Sequence, residues 1–351
     1  MKVLFDITHP AQVHFFKHVI RMLAGAGHDV LVTARDKDIT IDLLDSLNIQ
    51  HTCISRMGRG RLGKIGEMVK RNILLIGISR RFRPDVMVAR TGISVSPVAA
   101  LLGVPSLIFE DTEHSRVEMM MGPRLAKWVC TGTGYLKDHG ARQIRYRGIP
   151  QLGYLMPKYF QPDMEVLRRH GVEEDKPFIV LRRVSWQAYH DVGLSGAREK
   201  AVFEAVTRLS RFGRVLITSE NALSASLSNF KCPVPVEHMH SLLAFASLYI
   251  GEGGTMAAEA AALGTPSVFC SHLRTGYLLA LEKEYGLVCN TDSLADGVKK
   301  AEDILIRPDT KRLWGQRREK LLADSEDIVE FICRTVIQIG SPKSGIGAAG
   351  G

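Results

Sequence analysis

Between residues 251 and 266 the chain reads Gly-Glu-Gly-Gly-Thr-Met-Ala-Ala-Glu-Ala-Ala-Ala-Leu-Gly-Thr-Pro, directly after a short apolar run at 247–250. A strand, a glycine turn and an alanine-rich helix in that order make an anion site out of backbone. The glycines let a ligand approach closely, and the free N–H groups and dipole of a helix start attract phosphate. Glu259 lies one turn into that helix, where a carboxylate could accept hydrogen bonds from a ribose diol beside the phosphate. A tight turn followed by a helix-stabilising Glu is the competing structural reading. Position 256 is Met, so the Gly-x-Gly-x-x-Gly fingerprint is absent, and no Gly-x-x-x-x-Gly-Lys-[Ser/Thr] occurs. Dinucleotide cofactors and P-loop hydrolysis are therefore disfavoured.

A second group follows the apolar run 105–109: Glu110, Asp111, Glu113 and His114. Crowded carboxylates raise one another's pKa, which suits a general base taking a proton from an acceptor hydroxyl or from a sugar carbon. A helix cap at Asp111 or Thr112 with solvated neighbours is the alternative. His9 closes the first apolar run just before Pro10, as a base, an acceptor contact or simply a turn cap. His14 and His18 are four apart on one helix but lack the Glu of His-Glu-x-x-His, so they read as packing or surface residues and no metal site emerges.

These residues need strands to end beneath them and helices to begin beyond them. Apolar runs alternate with helical patterns along the chain, the mark of parallel sheets covered by helices. Strands are expected at 3–7, 29–34, 50–54, 85–89, 105–109 and 128–131, then at 178–182, 214–218, 247–250 and 266–270. Helices are expected at 11–26, 197–212, 254–263, 276–285 and 292–306. The charge-free stretch Thr91–Phe109 is interrupted by Pro97, Gly103 and Pro105, so it reads as a short buried helix and a buried strand rather than a membrane span. The expected fold is α/β: two Rossmann-like doubly wound domains, 1–155 and 156–310, facing across a cleft. One long helix at about 310–338 would cross back to the first domain, and 339–351 would form a flexible tail.

The 351 residues are 45% hydrophobic and 24% charged, as in ordinary globular proteins, which excludes disorder or fibre for most of the length. Six cysteines stand apart without a Cys-x-x-Cys pair, and Asp6 interrupts the first apolar run, so neither zinc, a disulfide framework nor a signal peptide is expected. A reducing cytoplasm is the expected compartment. Residues 1–150 hold 22 Lys and Arg against 13 Asp and Glu, while the remainder holds 24 of each, so the formal +9 lies in the first half. Nine of those cations fall between Arg56 and Arg83, opposed only by Glu67. Among them Ile65, Met68, Val69, Ile73 and Ile76 recur at helical spacing. The favoured expectation is that this stripe packs on the domain's own sheet; peripheral contact with an anionic membrane surface is the other. Nucleic acid is disfavoured, because the run has no aromatic residue before Phe82.

Gly-Gly-Thr-Met-x-x-Glu-x-x-x-Leu-Gly-x-Pro after a strand resembles the nucleotide-sugar site of GT-B glycosyltransferases and of UDP-N-acetylglucosamine 2-epimerases. The resemblance extends along nearly the whole chain to an uncharacterised prokaryotic family of that superfamily. It runs through Asp6-Ile7-Thr8-His9-Pro10, His14-Phe15-Phe16, Thr33-Ala34-Arg35, Glu110 to His114, and Arg182 with Tyr189. It implies that Gly253, Gly254 and Thr255 meet a diphosphate, Glu259 the ribose, and Arg182, helped by Arg183, the diphosphate from the other side. It implies a UDP-sugar as donor substrate, a hydroxyl-bearing acceptor, no tightly bound cofactor and no metal. Glu252 departs from the transferase pattern, where Ser is common. The leading expectation is a UDP-sugar-dependent GT-B glycosyltransferase with Asp111, Glu113 or His9 as the base. A 2-epimerase is the alternative, weakened by the absence of a Ser-Gly-Gly-x-Gln-Glu-Glu run, and a non-catalytic anion binder is the third.

Overall fold

The computed structural model describes residues 1–58, 60–111, 113, 116–184, 195–219 and 221–341. The chain forms two compact units, Met1–Tyr154 with the segment from Ser325 onward, and Leu155–Asp324. The first contains β1 (Lys2–Ile7), α1 (Pro10–Gly25), β2 (Asp29–Asp36), α2 (Thr40–Ser46), β3 (Thr52–Arg56), α3 (Gly60–Phe82), β4 (Val86–Arg90), α4 (Val95–Leu102), β5 (Ser106–Glu110), α5 (Arg116–Leu125), β6 (Trp128–Thr131) and β7 (Gln143–Arg145). After the short α6 (Leu152–Leu155), the second contains α7 (Met164–Arg169), β8 (Phe178–Arg183), α8 (Ser195–Leu209), β9 (Arg214–Ser219), α9 (Met239–Phe245), β10 (Leu248–Gly251), α10 (Gly254–Leu263), β11 (Ser267–Cys270), α11 (Gly276–Lys283), β12 (Val288–Thr291), α12 (Leu294–Leu305) and α13 (Thr310–Asp324). The chain then returns to the first unit as α14 (Ile328–Gly340).

Both sheets are parallel and doubly wound. The first has the order β3-β2-β1-β4-β5-β6-β7 and the second β12-β11-β10-β8-β9. Strand order therefore reverses between β1 and β4 in one unit and between β10 and β8 in the other. Such reversals open a crevice at the carboxyl ends of the two strands, because the helices that follow them leave on opposite faces. β1 and β5 are buried at nearly every position, as strands covered on both faces must be. Phe15, Phe16 and Phe109 pack edge to face, with centroids 5.0–5.9 Å apart, where α1 lies on the sheet.

Three expectations change. The single helix over 310–338 is two, because the Asp327 side chain accepts the N–H groups of Val329 and Glu330 and starts α14 afresh. α14 runs to Gly340, so the expected tail begins later, and from residue 342 on it lies outside the described residues. The apolar stripe of α3 packs on the domain's core only in part: Met68 and Ile76 are half-buried, Ile76 against the cluster of Leu4, Leu75 and Met87, but the rest faces outward. Ile65, Val69 and Ile73 are 55%, 52% and 63% exposed, and the covered face instead carries Arg71, Leu75 and Ser79.

Ion pairs turn α3 that way. Arg71 donates to Asp6 Oδ1 at the end of β1, both side chains being 3% exposed, and to Ser55 Oγ at 2.7 Å. Thr33 Oγ1 donates to the same Asp6 oxygen at 2.6 Å. Arg35 grips Glu67 through both nitrogens, and Glu67 also accepts the Ser55 hydroxyl and the Gly58 N–H. Burial alone would raise the Glu67 carboxyl, but these donors hold it below the usual range. The network ties the ends of β1, β2 and β3 to one face of α3.

Half-buried on α1, His18 is pushed down to about 4 by burial and by Lys17 and Arg21, against Asp327. The unfolded imidazole titrates near 6.5, so the contribution is fully present above that pH and is lost as pH falls toward 4. Partial exposure discounts the loss to roughly 1 kcal/mol. Denaturation midpoints of His18→Gln should fall less than those of the parent over this window, and superimposable pH curves would refute the assignment.

Candidate functional site

At the reversal in the second unit, Gly251 of β10 pairs in register with Arg182 of β8. Gly251 has φ of 159°, and a Cβ there would stand 2.4 Å from the Arg182 carbonyl, so only glycine lets the strands close before the turn. Gly253 precedes the first turn of α10 with no side-chain cap, leaving the amide groups of that turn without an intrahelical acceptor. Tyr249 Oη steadies the turn by donating to the Gly253 carbonyl at 2.9 Å. A Cβ on Gly253 would lie 3.2 Å from Arg182 Cγ, so the Arg182 side chain passes beside the turn. Thr255 is exposed on the first turn of α10. Tyr277, at the start of α11, brings its hydroxyl within 3.4 Å of where a Gly254 Cβ would be. The start of α10 thus lies beside one arginine and one tyrosine hydroxyl.

Glu252 does not compete for an anion there. Its Oε2 accepts the Val184 N–H at 3.2 Å and extends the hydrogen bonding of β8 by one residue. Glu259 is 8% exposed, and His240 of α9 approaches its Oε1 through Nε2 at 3.3 Å. Phe160 packs edge-on against the His240 ring, with centroids 5.8 Å apart. The carboxylate is therefore oriented from outside its own helix, which the motif could not reveal.

In the first unit, His9 follows β1 and caps α1: the ring is exposed and its Nδ1 accepts the Ala11 N–H at 3.2 Å. A neutral imidazole so placed carries its proton on Nε2 and is a donor. Beside it in the sheet, β4 ends at Arg90, followed by Thr91 with φ of 60°, a strained conformation for a β-branched residue. Arg90 is ion-paired with Asp111 and lies over the Phe15 ring, 5.0 Å from its centroid. Burial opposes its charge, yet Asp111 alongside keeps the guanidinium above its ordinary pKa.

Glu110 is 1% exposed at the end of β5, and its Oε1 accepts the Asp111 N–H at 3.2 Å. Glu113 Oε1 accepts the Leu136 N–H at 3.2 Å, and Lys137 Nζ donates to the Glu113 carbonyl at 2.6 Å. On that same loop Tyr135 Oη meets His139 Nε2 at 3.1 Å. Burial first, then Glu110, Glu113 and Asp111, push the phenol above its usual range. Burial and then Arg142 lower His139. The carboxylates thus sit among Arg90, Tyr135 and Lys137, none of which the sequence reading singled out. Arg90 had a signal, since it closes β4 as Arg182 and Arg183 close β8. His114, Thr112 and Tyr189 lie outside the described residues. His14 stacks on Tyr154 at 5.6 Å, in keeping with a packing role. Among the described residues, no three or more His, Cys, Asp or Glu side chains form a group that could hold a metal ion.

The chain is similar to proteins of both reaction types. It is 30% identical over 205 residues to the UDP-N-acetylglucosamine–N-acetylmuramyl-(pentapeptide) pyrophosphoryl-undecaprenol N-acetylglucosamine transferase of Moorella thermoacetica, spanning 54% of each chain. The crystal structure of the Neisseria meningitidis UDP-GlcNAc 2-epimerase bound to UDP-GlcNAc superposes with a TM-score of 0.70 at 12% identity, covering 96% of this chain and 100% of that one. The fold is accordingly of the GT-B type. An uncharacterized protein of Methanocaldococcus jannaschii, MJ0665, is 26% identical over 282 residues, 77% of this chain and 82% of that one. The model of the family described as "Protein of unknown function (DUF354)" matches residues 1–338, and the chain belongs to that family.

Proposed function

We propose that the protein is a GT-B glycosyltransferase that moves a sugar from a UDP-sugar to an acceptor hydroxyl. The observation that carries this reading is the uncapped start of α10, built on Gly251–Gly254 beside Arg182, with Glu259 one turn further in. The diphosphate takes the amides of Gly254 and Thr255, while the Arg182 guanidinium stabilises charge growing on the departing UDP. Glu259, oriented by His240, accepts the ribose hydroxyls. In the first unit Asp111 or Glu113 takes the acceptor proton. His9, whose Nδ1 is committed to Ala11, donates through Nε2 in this arrangement. The similarity to a nucleotide-sugar transferase supports the donor class.

The gathered carboxylates favour one second reading, 2-epimerisation, in which Glu110, Asp111 or Glu113 withdraws and returns a proton at the sugar. Incubation with UDP-N-acetylglucosamine separates the two reactions by nuclear magnetic resonance. Transfer releases UDP in proportion to the acceptor supplied, whereas epimerisation changes the configuration at C2 without needing an acceptor.

Glu259→Ala should weaken UDP by roughly 1–3 kcal/mol, the range of hydrogen bonds to a charged group, when measured by calorimetric titration. 2′-Deoxy-UDP should bind the parent more weakly than UDP does and lose less on the same substitution. Equal UDP affinity in parent and variant would end the ribose assignment.

A further inference from the structure

We propose that the outer face of α3 is a docking surface for an anionic lipid bilayer. Leu62, Ile65, Val69 and Ile73 are 86%, 55%, 52% and 63% exposed. On a helix of 3.6 residues per turn they fall within about 80° of arc, so they form one continuous stripe. Large apolar side chains lined up in water mark an interaction site, whereas single exposed ones do not. Lys64, Lys70, Arg80 and Arg81 on the same helix are exposed as well. The helix carries one acidic residue, Glu67, and that carboxylate is turned inward onto Arg35. Arg71 is likewise drawn inward, to Asp6. The two inward ion pairs therefore set the rotation of α3, holding its polar middle against the strand ends and its apolar stripe outward.

Charge decides the occupant. A second copy of this chain docked through the same face would bring Lys70, Arg80 and Arg81 of both copies together, since a two-fold contact repeats one patch on both sides. An acidic headgroup layer above an apolar interior complements both features at once. The helix would lie in the interfacial plane, its stripe sunk into the acyl boundary and its cations among the headgroups. Among the described residues no helix is long and apolar enough to cross a membrane, so the contact is a surface one.

Co-sedimentation of the full chain with phosphatidylcholine vesicles, with and without phosphatidylglycerol, tests this. Binding is expected only when phosphatidylglycerol is present, and it should weaken with salt. Lys70→Gln with Arg81→Gln should reduce it about fivefold per cation, the equivalent of ~1 kcal/mol each. Ile65→Ser with Ile73→Ser should reduce it about tenfold or more while leaving the thermal midpoint unchanged, because both side chains already face water. Failure to bind anionic vesicles at low salt, or full binding by the Ile65→Ser/Ile73→Ser protein, would overturn the proposal. So would a concentration-dependent dimer abolished by the same serine substitutions. UDP affinity, measured on the same proteins, should not change, so failure here is separable from failure of the donor site.

Discussion

Turnover in Asp111→Asn or Glu113→Gln is expected to fall by about 10²–10⁴-fold with UDP affinity retained, the loss that follows removal of a general base. The two substitutions are not equivalent. Asp111 faces Arg90, whose side chain is only 11% exposed, so its amide leaves a guanidinium without its counter-charge, and part of any loss is structural. Glu113 holds the Leu136 amide by one oxygen, a bond that Gln can keep through its carbonyl. A drop in turnover at unchanged thermal midpoint in Glu113→Gln, with both quantities lowered in Asp111→Asn, would assign the base to Glu113 and a positioning role to Asp111. His9→Gln should cost less than either, because the ring nitrogen that could accept a proton is already bonded to Ala11. Full turnover in all three variants would show that none of them is the base.

Asp6→Ala should destabilise the folded chain by roughly 3–5 kcal/mol, the usual cost of leaving one partner of a buried ion pair alone. Arg71 would be stranded among Ala34, Ser55 and the end of β1 with its charge uncompensated. The double variant Asp6→Leu/Arg71→Met should recover much of this, because two apolar side chains of similar volume remove both desolvation costs together. Chemical denaturation of the four proteins in the cycle gives the coupling energy. Additive losses would show that the two side chains are held independently. The same cycle bears on α3, since loss of the Arg71 tether should also loosen the helix that carries the exposed stripe.

Much of this molecule was legible in its residue order. Alternating short apolar runs and helical periodicities are local properties, so the doubly wound class, ten of the strands and the helix–strand reading of Thr91–Phe109 follow without tertiary information. The turn at Gly251–Gly254 was legible for the same reason: glycine, strand end and helix start are adjacent in the chain, and backbone geometry makes the anion site. The three-residue β7 is too short to show a pattern, and β12 reads Val-Cys-Asn-Thr, with polar residues at two of its four positions. The break between α13 and α14 rests on one capping Asp inside a long helical periodicity, which an apolar pattern does not register.

Contacts between distant residues were decided elsewhere. Hydrophobicity alone favoured burying the α3 stripe of Ile65, Met68, Val69, Ile73 and Ile76, yet Ile65, Val69 and Ile73 face outward. The pairs Asp6–Arg71 and Arg35–Glu67 join residues 65 and 32 positions apart and turn the other face inward. His240 meets Glu259 from a separate helix, and Tyr135 with Lys137 reaches the acidic group after β5 from the loop beyond β6. A carboxylate's type and its place at a strand end are written in the sequence. Its partner, and hence its chemistry, depends on which loops the sheet order brings beside it, and that order exists only once the strands have paired.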